Sequence, residues 1–482
     1  MKTPRLLTHG LAAFLVSSPV FAGPYTWDGG SLVDSNLATA ANWNPDGAPP
    51  SDLVNTNLAF DGVARLTPNF LVPFGANSLT FNNNAAANPF TFSGNGLGIG
   101  TTGIVNYDAN PATFGNPVTL GTASTTFNAA NGVLTFNNTI ALGTGTLNVN
   151  GNQATTLAGP IAGTGLINKT GGGTLTLPNA TLAADVTVGG GNVVINSAGT
   201  TVFSSSSVIA VNAGSFLANG NVALDGAQLT RGAATVTLAA GKTLTIQNGG
   251  DAIISGSFIQ ASAATINVTG PGSTFTMAGG SEFRGGSTLN VTTGGSVSNS
   301  VNFIDLANSA GGNATVLVDG AGSSFSTPGG SYWGLNGNTA TVTFSNGATG
   351  SIGMTDVAYG IAGSTGRVNV LSGASLTTGS FSLASTTDAA AATLTVNGAG
   401  SVVTQTAGAL LTLGGASGSS ATLNVQAGGT FNANATGTTN INATGTLAIT
   451  GGTFNANGNL FLNGLKNDKH SWDNQYADHG TD

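Results

Sequence analysis

The sequence predicts an all-β protein folded as a right-handed parallel β-helix, or β-solenoid, and three observations lead to this prediction. Of the 482 residues 75 are glycine, and only 6% are charged although 40% are hydrophobic. Apolar residues alternate with small polar residues over short stretches. These stretches recur at a nearly fixed distance along the chain. Together they describe half-buried strands joined by tight corners, which a disordered linker would not need.

Eight segments carry the repeat most clearly. They begin at residues 265, 288, 315, 341, 367, 393, 422 and 446 and read TINV, TLNV, TVLV, TVTF, RVNV, TLTV, TLNV and TLAI. Their starts lie 23 to 29 residues apart, which is a solenoid period. An antiparallel sandwich also alternates strands and turns, but it does not predict like residues at such a regular spacing.

Within each repeat the apolar residues occupy every second position. Period two predicts a strand with one buried face, so these residues should fill the interior of the coil. A glycine pair or a small-residue turn follows and supplies the corner, since glycine tolerates positive φ angles. A second short strand then begins. The alternating pairs include Ile266 with Val268, Leu394 with Val396 and, in the last repeat, Leu447 with Ile449.

The N-terminus has the pattern of a secretory signal peptide. Lys2 and Arg5 precede an apolar run, and Ala22 supplies the small residue expected at the cleavage site. We therefore expect residues 1–22 to be removed after Ala22 and the mature chain to be secreted, extracellular or displayed on the outer cell surface. No later stretch approaches the roughly 18 apolar residues of a membrane-spanning helix.

The rest of the chain divides into three predicted parts. Residues 23–75, around Trp27 and Trp43, read as an N-terminal cap. Residues 76–464 read as β-helix repeats, with looser spacing before residue 260. Residues 465–482 collect charge, together with His470 and His479, and read as a polar, disordered tail. Caps are expected because each coil buries its core only against its neighbours.

Composition excludes several classes of function. The absence of cysteine removes disulfides, thiol catalysis and zinc–thiolate sites. A formal net charge of -8 argues against nucleic-acid and anionic-membrane partners, which need clustered Lys and Arg. The glycine-rich calcium-binding nonapeptide is missing as well. We expect no cofactor and no metal, and we expect extracellular polysaccharide or cell-surface components as partners.

The stretch GTGLINKTGGGTLTL, residues 163–177, resembles the autotransporter-associated β-strand repeat. The segments DGAGSSF and NGAGSVV are similar to the related repeat of autotransporters and of surface proteins that end in a PEP-CTERM sorting signal. The resemblance implies a secreted or surface-displayed parallel β-helix from a Gram-negative-type bacterium. Such repeats specify architecture and not chemistry. The matching positions are Gly163, Gly165, Leu166, Lys169, Gly171, Gly173, Thr174, Leu175 and Leu177.

Parallel β-helices also host polysaccharide lyases and hydrolases, so paired carboxylates need consideration. Glu282 and Asp305 lie one period apart, and stacked coils would bring them within the distance that glycoside hydrolysis requires. Arg284 follows Glu282 at the spacing of one strand face. Asp225 and Asp251 are a second pair separated by one period. Isolated Asp residues beside glycine are ordinary turn formers, however.

Two other surface features are candidates for binding. Thr-x-Thr and Thr-x-Asn pairs recur on the predicted strands, which suggests an ice- or surface-binding ladder or simply the β-propensity of threonine. Tyr332 and Trp333 interrupt the repeat and suggest either a sugar-stacking spot or packing at an enlarged turn. Our primary hypothesis is a non-enzymatic structural or adhesive rod. An extracellular polysaccharide lyase or hydrolase is the alternative, and an ice- or surface-binding solenoid is the second alternative.

Overall fold

The computed structural model describes residues 24–83, 89–121, 123–178, 180–196, 198–232, 234–260, 263–308, 312–386, 388–434 and 436–463. The predicted signal peptide and the predicted C-terminal tail with His470 and His479 lie outside these residues. The described chain is an all-β parallel solenoid of about 17 turns. One short 3-10 helix, Ala40–Asn42, accompanies the strands of these ranges, and no helix there has the length and hydropathy of a membrane span.

Each coil contributes strands to three faces, which we number in the order in which the chain visits them. Face 1 is one continuous ladder in which each strand pairs in parallel with the strand one coil away. Its strands are Tyr25–Trp27, Asp52–Phe60, Phe74–Phe81, Leu97–Asn106, Ser124–Ala129, Thr146–Gly151, Leu166–Lys169, Asp185–Val188, Val208–Val211, Gln228–Arg231, Asp251–Ile254, Thr274–Met277, Ser296–Asn299, Ser324–Thr327, Thr349–Ile352, Ser375–Thr378, Val402–Gln405, Thr430–Ala433 and Thr453–Ala456.

Face 2 consists of two nine-stranded ladders. The side-chain amide of Gln260 donates to the carbonyl of Leu238 at 3.2 Å and connects them. The first ladder contains Asn69–Phe70, Phe90–Gly94, Ala112–Phe114, Leu134–Phe136, Thr155–Leu157, Thr174–Leu177, Asn192–Ile195, Ser215–Ala218 and Thr235–Leu238. The second ladder contains Ile259–Gln260, Ser281–Phe283, Ile304–Leu306, Ser331–Leu335, Thr355–Tyr359, Phe381–Leu383, Leu411–Leu413, Thr438–Ile441 and Asn459–Leu462.

Face 3 holds the strands with which the predicted repeats begin. In the first coils, single long strands such as Phe74–Phe81 run around the corner from face 3 to face 1. The separate strands of face 3 are Val118–Leu120, Ile140–Gly143, Ile161–Gly163, Thr181–Leu182, Thr200–Phe203, Asn221–Asp225, Thr243–Gln247, Thr265–Thr269, Ser287–Thr292, Ala314–Asp319, Thr339–Ser345, Thr365–Leu371, Ala391–Asn397, Ser420–Gln426 and Gly445–Thr450.

The interior is filled by the alternating apolar residues, as predicted. Ile266, Val268, Leu394 and Val396 are all fully buried. Burying such a side chain contributes about 1.5–3 kcal/mol, so the core grows with every added coil. The prediction is wrong for the last repeat, because Ile449 is 51% exposed and no coil of the described residues lies on it.

Glycine is required where the backbone turns left-handed against a neighbouring coil. Gly163 has a φ of 109°, and a Cβ at this position would lie 2.3 Å from the carbonyl oxygen of Gly143 in the coil beneath. Any side chain would both strain the backbone and collide with it. This explains the dense glycine of the stretch 163–177 beside its buried leucine positions Leu175 and Leu177.

The N-terminal end of the solenoid contains an antiparallel strand pair in addition to the parallel coils. The short strand Trp43–Asn44 pairs antiparallel with Tyr25–Trp27, the first strand of face 1, on which the parallel ladder then builds. Trp27 and Trp43 are fully buried and meet edge to face with ring centroids 5.1 Å apart. The indole nitrogen of Trp43 donates to the carbonyl of Leu37 at 2.8 Å. Parallel stacking therefore begins within the segment predicted as a cap, whose boundary at residue 75 stays a prediction.

Candidate functional site

Four side chains form a column on the outside of face 2. They sit on consecutive strands, Ser281–Phe283, Ile304–Leu306, Ser331–Leu335 and Thr355–Tyr359. The residue before each inward-facing apolar side chain belongs to the outer surface, since side chains alternate along a strand. The register pairs Glu282 with Asp305, and Tyr332 with Asp356. We call Glu282, Asp305, Tyr332 and Asp356 the acidic–tyrosine column.

The structure brings the predicted charged residues together. Glu282 and Asp305 are direct neighbours on adjacent strands, which lie about 4.8 Å apart in any parallel ladder. Arg284 donates from Nη1 to Oε2 of Glu282 at 3.0 Å. Both side chains of this ion pair are partly exposed, so solvent weakens its contribution to stability. The ion pair therefore neutralises one carboxylate locally.

The prediction that Asp225 and Asp251 form a second pair of stacked carboxylates is wrong. Asp225 ends a strand of face 3 and accepts a hydrogen bond from the side chain of Asn248. Asp251 begins a strand of face 1 and accepts a hydrogen bond from the hydroxyl of Thr274 at 2.6 Å. One period in residue number does not place two residues on the same face when coil lengths vary, so these carboxylates do not stack.

Asp305 is the most perturbed carboxyl of the column. It is only 4% exposed. Burial raises its pKa to about 7, the backbone N–H of Tyr332 opposes that rise, and the nearby charge of Glu282 adds to it. The Tyr332 N–H donates to Oδ1 at 2.8 Å, and the amide of Asn308 donates to Oδ2 at 3.2 Å. These hydrogen bonds fix the orientation of the carboxyl group.

The upper part of the column is aromatic. The rings of Tyr332 and Tyr359 lie 4.9 Å apart between centroids, at 32° to each other. Burial raises the pKa of Asp356, and a hydrogen bond with the side chain of Ser382 partly offsets that effect. Trp333 points inward, is fully buried and donates from its indole nitrogen to the carbonyl of Ile304 at 3.2 Å. Of the two alternatives for this segment, Trp333 is a packing residue and Tyr332 lies on the surface column.

Sequence reasoning missed Asp356 and Tyr359. The signal that would have found Asp356 is the repeat itself, since it follows Tyr332 by a coil length and occupies the same position in its strand. Sequence reasoning also missed the burial of Lys169, which is 1% exposed. Its ammonium donates to the carbonyl of Gly171 and to that of Gly190, one coil above. Burial lowers the pKa of Lys169.

The column has the parts of an acid–base pair. A carboxyl group whose pKa is about 7 can hold a proton at neutral pH, and a neighbouring carboxylate can accept one. Among the described residues, however, no group of three or more His, Asp or Glu side chains is placed to hold a metal ion. Asp305 is also nearly inaccessible to a bulky substrate in this arrangement.

A shallow cavity of about 580 Å³ lies near the N-terminal end, beside Leu53, Val54, Phe74 and Leu97. Asp52 is its charged lining residue. Hydrogen bonds from Asn55 and from the N–H of Val54 lower the pKa of Asp52 and occupy its carboxylate. The cavity therefore presents mostly apolar walls without a converging set of reactive groups.

No family model and no curated protein matches the chain. Among solved structures, the chain is similar to a hyper-glycosylated TibA fragment, whose glycosylation is catalysed by TibC, at 20% sequence identity and a TM-score of 0.32. The similarity covers 73% of this chain and 97% of the TibA fragment. A TM-score of this size does not transfer a function, so function has to be inferred from the residues of the chain itself.

Proposed function

We propose that the protein is an exported structural rod that acts as a surface or matrix spacer and adheres through its repeated polar faces. The observation that carries the proposal is the continuous parallel stacking from Tyr25–Trp27 to Asn459–Leu462. About 17 coils spaced by about 4.8 Å give a length on the order of 80 Å. A long and narrow shape of this kind suits a spacer better than a catalyst.

The outer surface supports this proposal. The outward positions of the strands are mostly Thr, Ser and Asn, and several of the asparagines form hydrogen bonds from one coil to the next. The side-chain amide of Asn290 donates to Asn267 at 2.9 Å, and that of Asn455 donates to Asn432 at 2.7 Å. Such faces offer many weak and similar contacts, which add up when a rod engages an extended partner. Export rests on the expected signal peptide at residues 1–22.

The test is a binding screen of the purified full chain on neutral and acidic polysaccharides and on bacterial cell envelopes. The screen records two quantities: retention of the protein on each material, and release of reducing or unsaturated sugar ends. We expect retention without product. Product formation that is lost in Glu282→Gln or Asp305→Asn, and kept in the control Asp225→Asn, would contradict the non-enzymatic rod.

A polysaccharide-cleaving enzyme is the second candidate, and one observation favours it. Asp305, whose pKa is raised to about 7, stacks directly on Glu282. In such a pair a protonated Asp305 would serve as the general acid beside a second carboxyl group. Cleavage by this pair would weaken as pH rises through 7, because Asp305 then loses the proton that it must donate. A pH profile of product release from the same screen separates this candidate from the rod.

A further inference from the structure

A single row of threonines runs along the outside of face 3 in the later coils. Successive strands pair in register at one outward position, and eight of its nine members are threonine. The ninth is Arg367, which lies between Thr341 and Thr393. The row, which we call the threonine row, consists of Thr243, Thr265, Thr288, Thr315, Thr341, Arg367, Thr393, Thr422 and Thr446.

The hydroxyl groups of the threonine row make no hydrogen bond to other described residues. The neighbouring outward row differs in this respect, since Asn369 donates to the hydroxyl of Thr343 at 3.2 Å. The threonine row therefore keeps both a donor and an acceptor for an external partner at eight of its nine positions, Arg367 being the exception. Each threonine also presents a methyl group beside the hydroxyl.

Face 3 is nearly uncharged around this row. Arg367 is the charged member of the row, and Asp319 lies two rows away. The carboxylate of Asp319 accepts hydrogen bonds from Ser345 at 2.6 Å and from Asn346 at 2.7 Å. An anionic or cationic polymer would thus find little charge to recognise on face 3.

In the later coils the other two faces lack such a row. On face 1 the corresponding outward position changes from Asp251 to Thr274, Ser296 and, farther along, Val402. Face 2 carries the acidic–tyrosine column there, and its first ladder holds a shorter run of five threonines in register, Thr91, Thr113, Thr135, Thr156 and Thr176. Face 3 therefore carries the longer of the two threonine runs, and it is interrupted once, at Arg367.

The spacing of the row is fixed by backbone hydrogen bonds. Hydroxyls repeat about every 4.8 Å along the rod, and the next outward position of each strand lies about 6.6 Å across it. A rigid two-dimensional array gains most from a partner that repeats in two dimensions as well. Sugar sites, in contrast, are concave and use aromatic stacking, and the threonine row contains neither an aromatic residue nor a cavity wall.

We propose that the threonine row binds ice, with the unpaired hydroxyls joining the water lattice and the methyl groups packing between its water molecules. Ice is uncharged, is periodic in two dimensions, and supplies a donor or an acceptor to every hydroxyl. Arg367 interrupts the row and limits the length of continuous contact. This inference goes beyond the proposed rod, because it assigns one face of the rod a specific partner, the ice lattice.

The first experiment measures ice recrystallisation inhibition and the shape of growing ice crystals with the full chain. The double variant Thr341→Lys and Thr393→Lys places charges on the row, and these would have to be desolvated against ice. We expect wild-type protein to inhibit recrystallisation and the double variant to lose this activity. Thr377→Lys is the matched control, because Thr377 is exposed on face 1. Circular dichroism confirms that each variant is folded.

The second variant, Arg367→Thr, completes the row. We expect it to inhibit recrystallisation at a several-fold lower protein concentration than wild type. Wild-type protein without ice activity would overturn the proposal. Equal loss in the face 3 and face 1 variants, or no gain from Arg367→Thr in an active protein, would also overturn it, because the activity would then not depend on the row.

Discussion

The interior of face 2 in the early coils and the interior of face 3 in the later coils are filled with different side chains. Between residues 90 and 136, rings stack from coil to coil, and the centroids of Phe92 and Phe114 lie 4.8 Å apart at an interplanar angle of 7°. Phe114 and Phe136 repeat this geometry at 4.8 Å and 8°. In the later coils the interior of face 3 is aliphatic except for Phe344, and Leu394 stacks on Leu423 in register.

The difference shows what the coil spacing demands of a core. Stacked strands lie about 4.8 Å apart, which is also close to the separation of stacked rings, so a ladder of phenylalanine costs no distortion. Branched aliphatic residues fill the same space without ring alignment. The sequence of the core can therefore vary widely if each coil matches its neighbours, while the outer faces remain free to specialise.

The largest expected effect comes from breaking the aromatic ladder. Phe114→Ala removes a ring that stacks on both sides, and we expect it to destabilise the surrounding coils by about 3–5 kcal/mol. Leu394→Ala in the aliphatic region should cost less, because it removes a smaller side chain. Native-state hydrogen exchange measures each region separately, which suits a solenoid whose coils open locally. A larger loss for Leu394→Ala would contradict the distinction between the two interiors.

The later coils contain a buried carboxyl group, Asp305, on the acidic–tyrosine column. The pKa of Asp305 is raised from 3.8 to about 7, so the folded state keeps a proton that the unfolded chain has released. The protonated Asp305 carboxyl adds roughly 1–4 kcal/mol to the free energy of unfolding. This stabilisation is fully present below about pH 4 and is lost as pH rises to about 7. We expect Asp305→Asn to remove this part of the pH dependence in urea unfolding. An unchanged profile would show that Asp305 ionises normally.

Substituting a glycine at a corner of the early coils should reduce stability by a smaller amount. At Gly163 an added methyl group meets the backbone of Gly143, and the φ of 109° is unfavourable for alanine. We expect Gly163→Ala to cost about 1–3 kcal/mol. Gly172→Ala is the control, because its Cβ would lie 3.4 Å from the side chain of Asn152 in ordinary contact. Thermal unfolding compares the two variants, and equal melting temperatures would remove the special role of Gly163.

The polar outer ladder should contribute least. Asn290→Ala removes the hydrogen bond of 2.9 Å with Asn267, a partly buried contact that water can replace. We expect a loss of about 0.5–1 kcal/mol in urea unfolding. A loss as large as that of Phe114→Ala would mean that the outer ladder, and not the interior, holds the coils together.

The sequence was sufficient to predict the architecture of the later coils. Alternating residues such as Ile266 and Val268 are buried as expected, because period two and a nearly constant repeat length leave few other arrangements. The same reasoning brought Glu282 and Asp305 together. It failed for Ile449, since burial of a strand also depends on a following coil.

Other features could not be predicted because they depend on the positions of the corners between strands, which determine the face on which each residue lies. Asp225 and Asp251 are one period apart but occupy different faces, since insertions at corners change the register between faces. The burial of Lys169 depends on two carbonyl groups that approach only after the coils stack. The raised pKa of Asp305 likewise follows from its burial, which strand alternation alone would not predict for an outward position.

The most direct test of the stacked-coil architecture is small-angle X-ray scattering of the full chain and of a variant that lacks residues 315–392. Thr315 and Thr393 occupy the same position three coils apart, so the deletion rejoins the ladder in register. We predict an elongated particle for both proteins and a maximum dimension shorter by about 14 Å in the variant. A compact, nearly spherical full-length particle, or a deletion that unfolds the chain, would contradict a rod built from interchangeable coils.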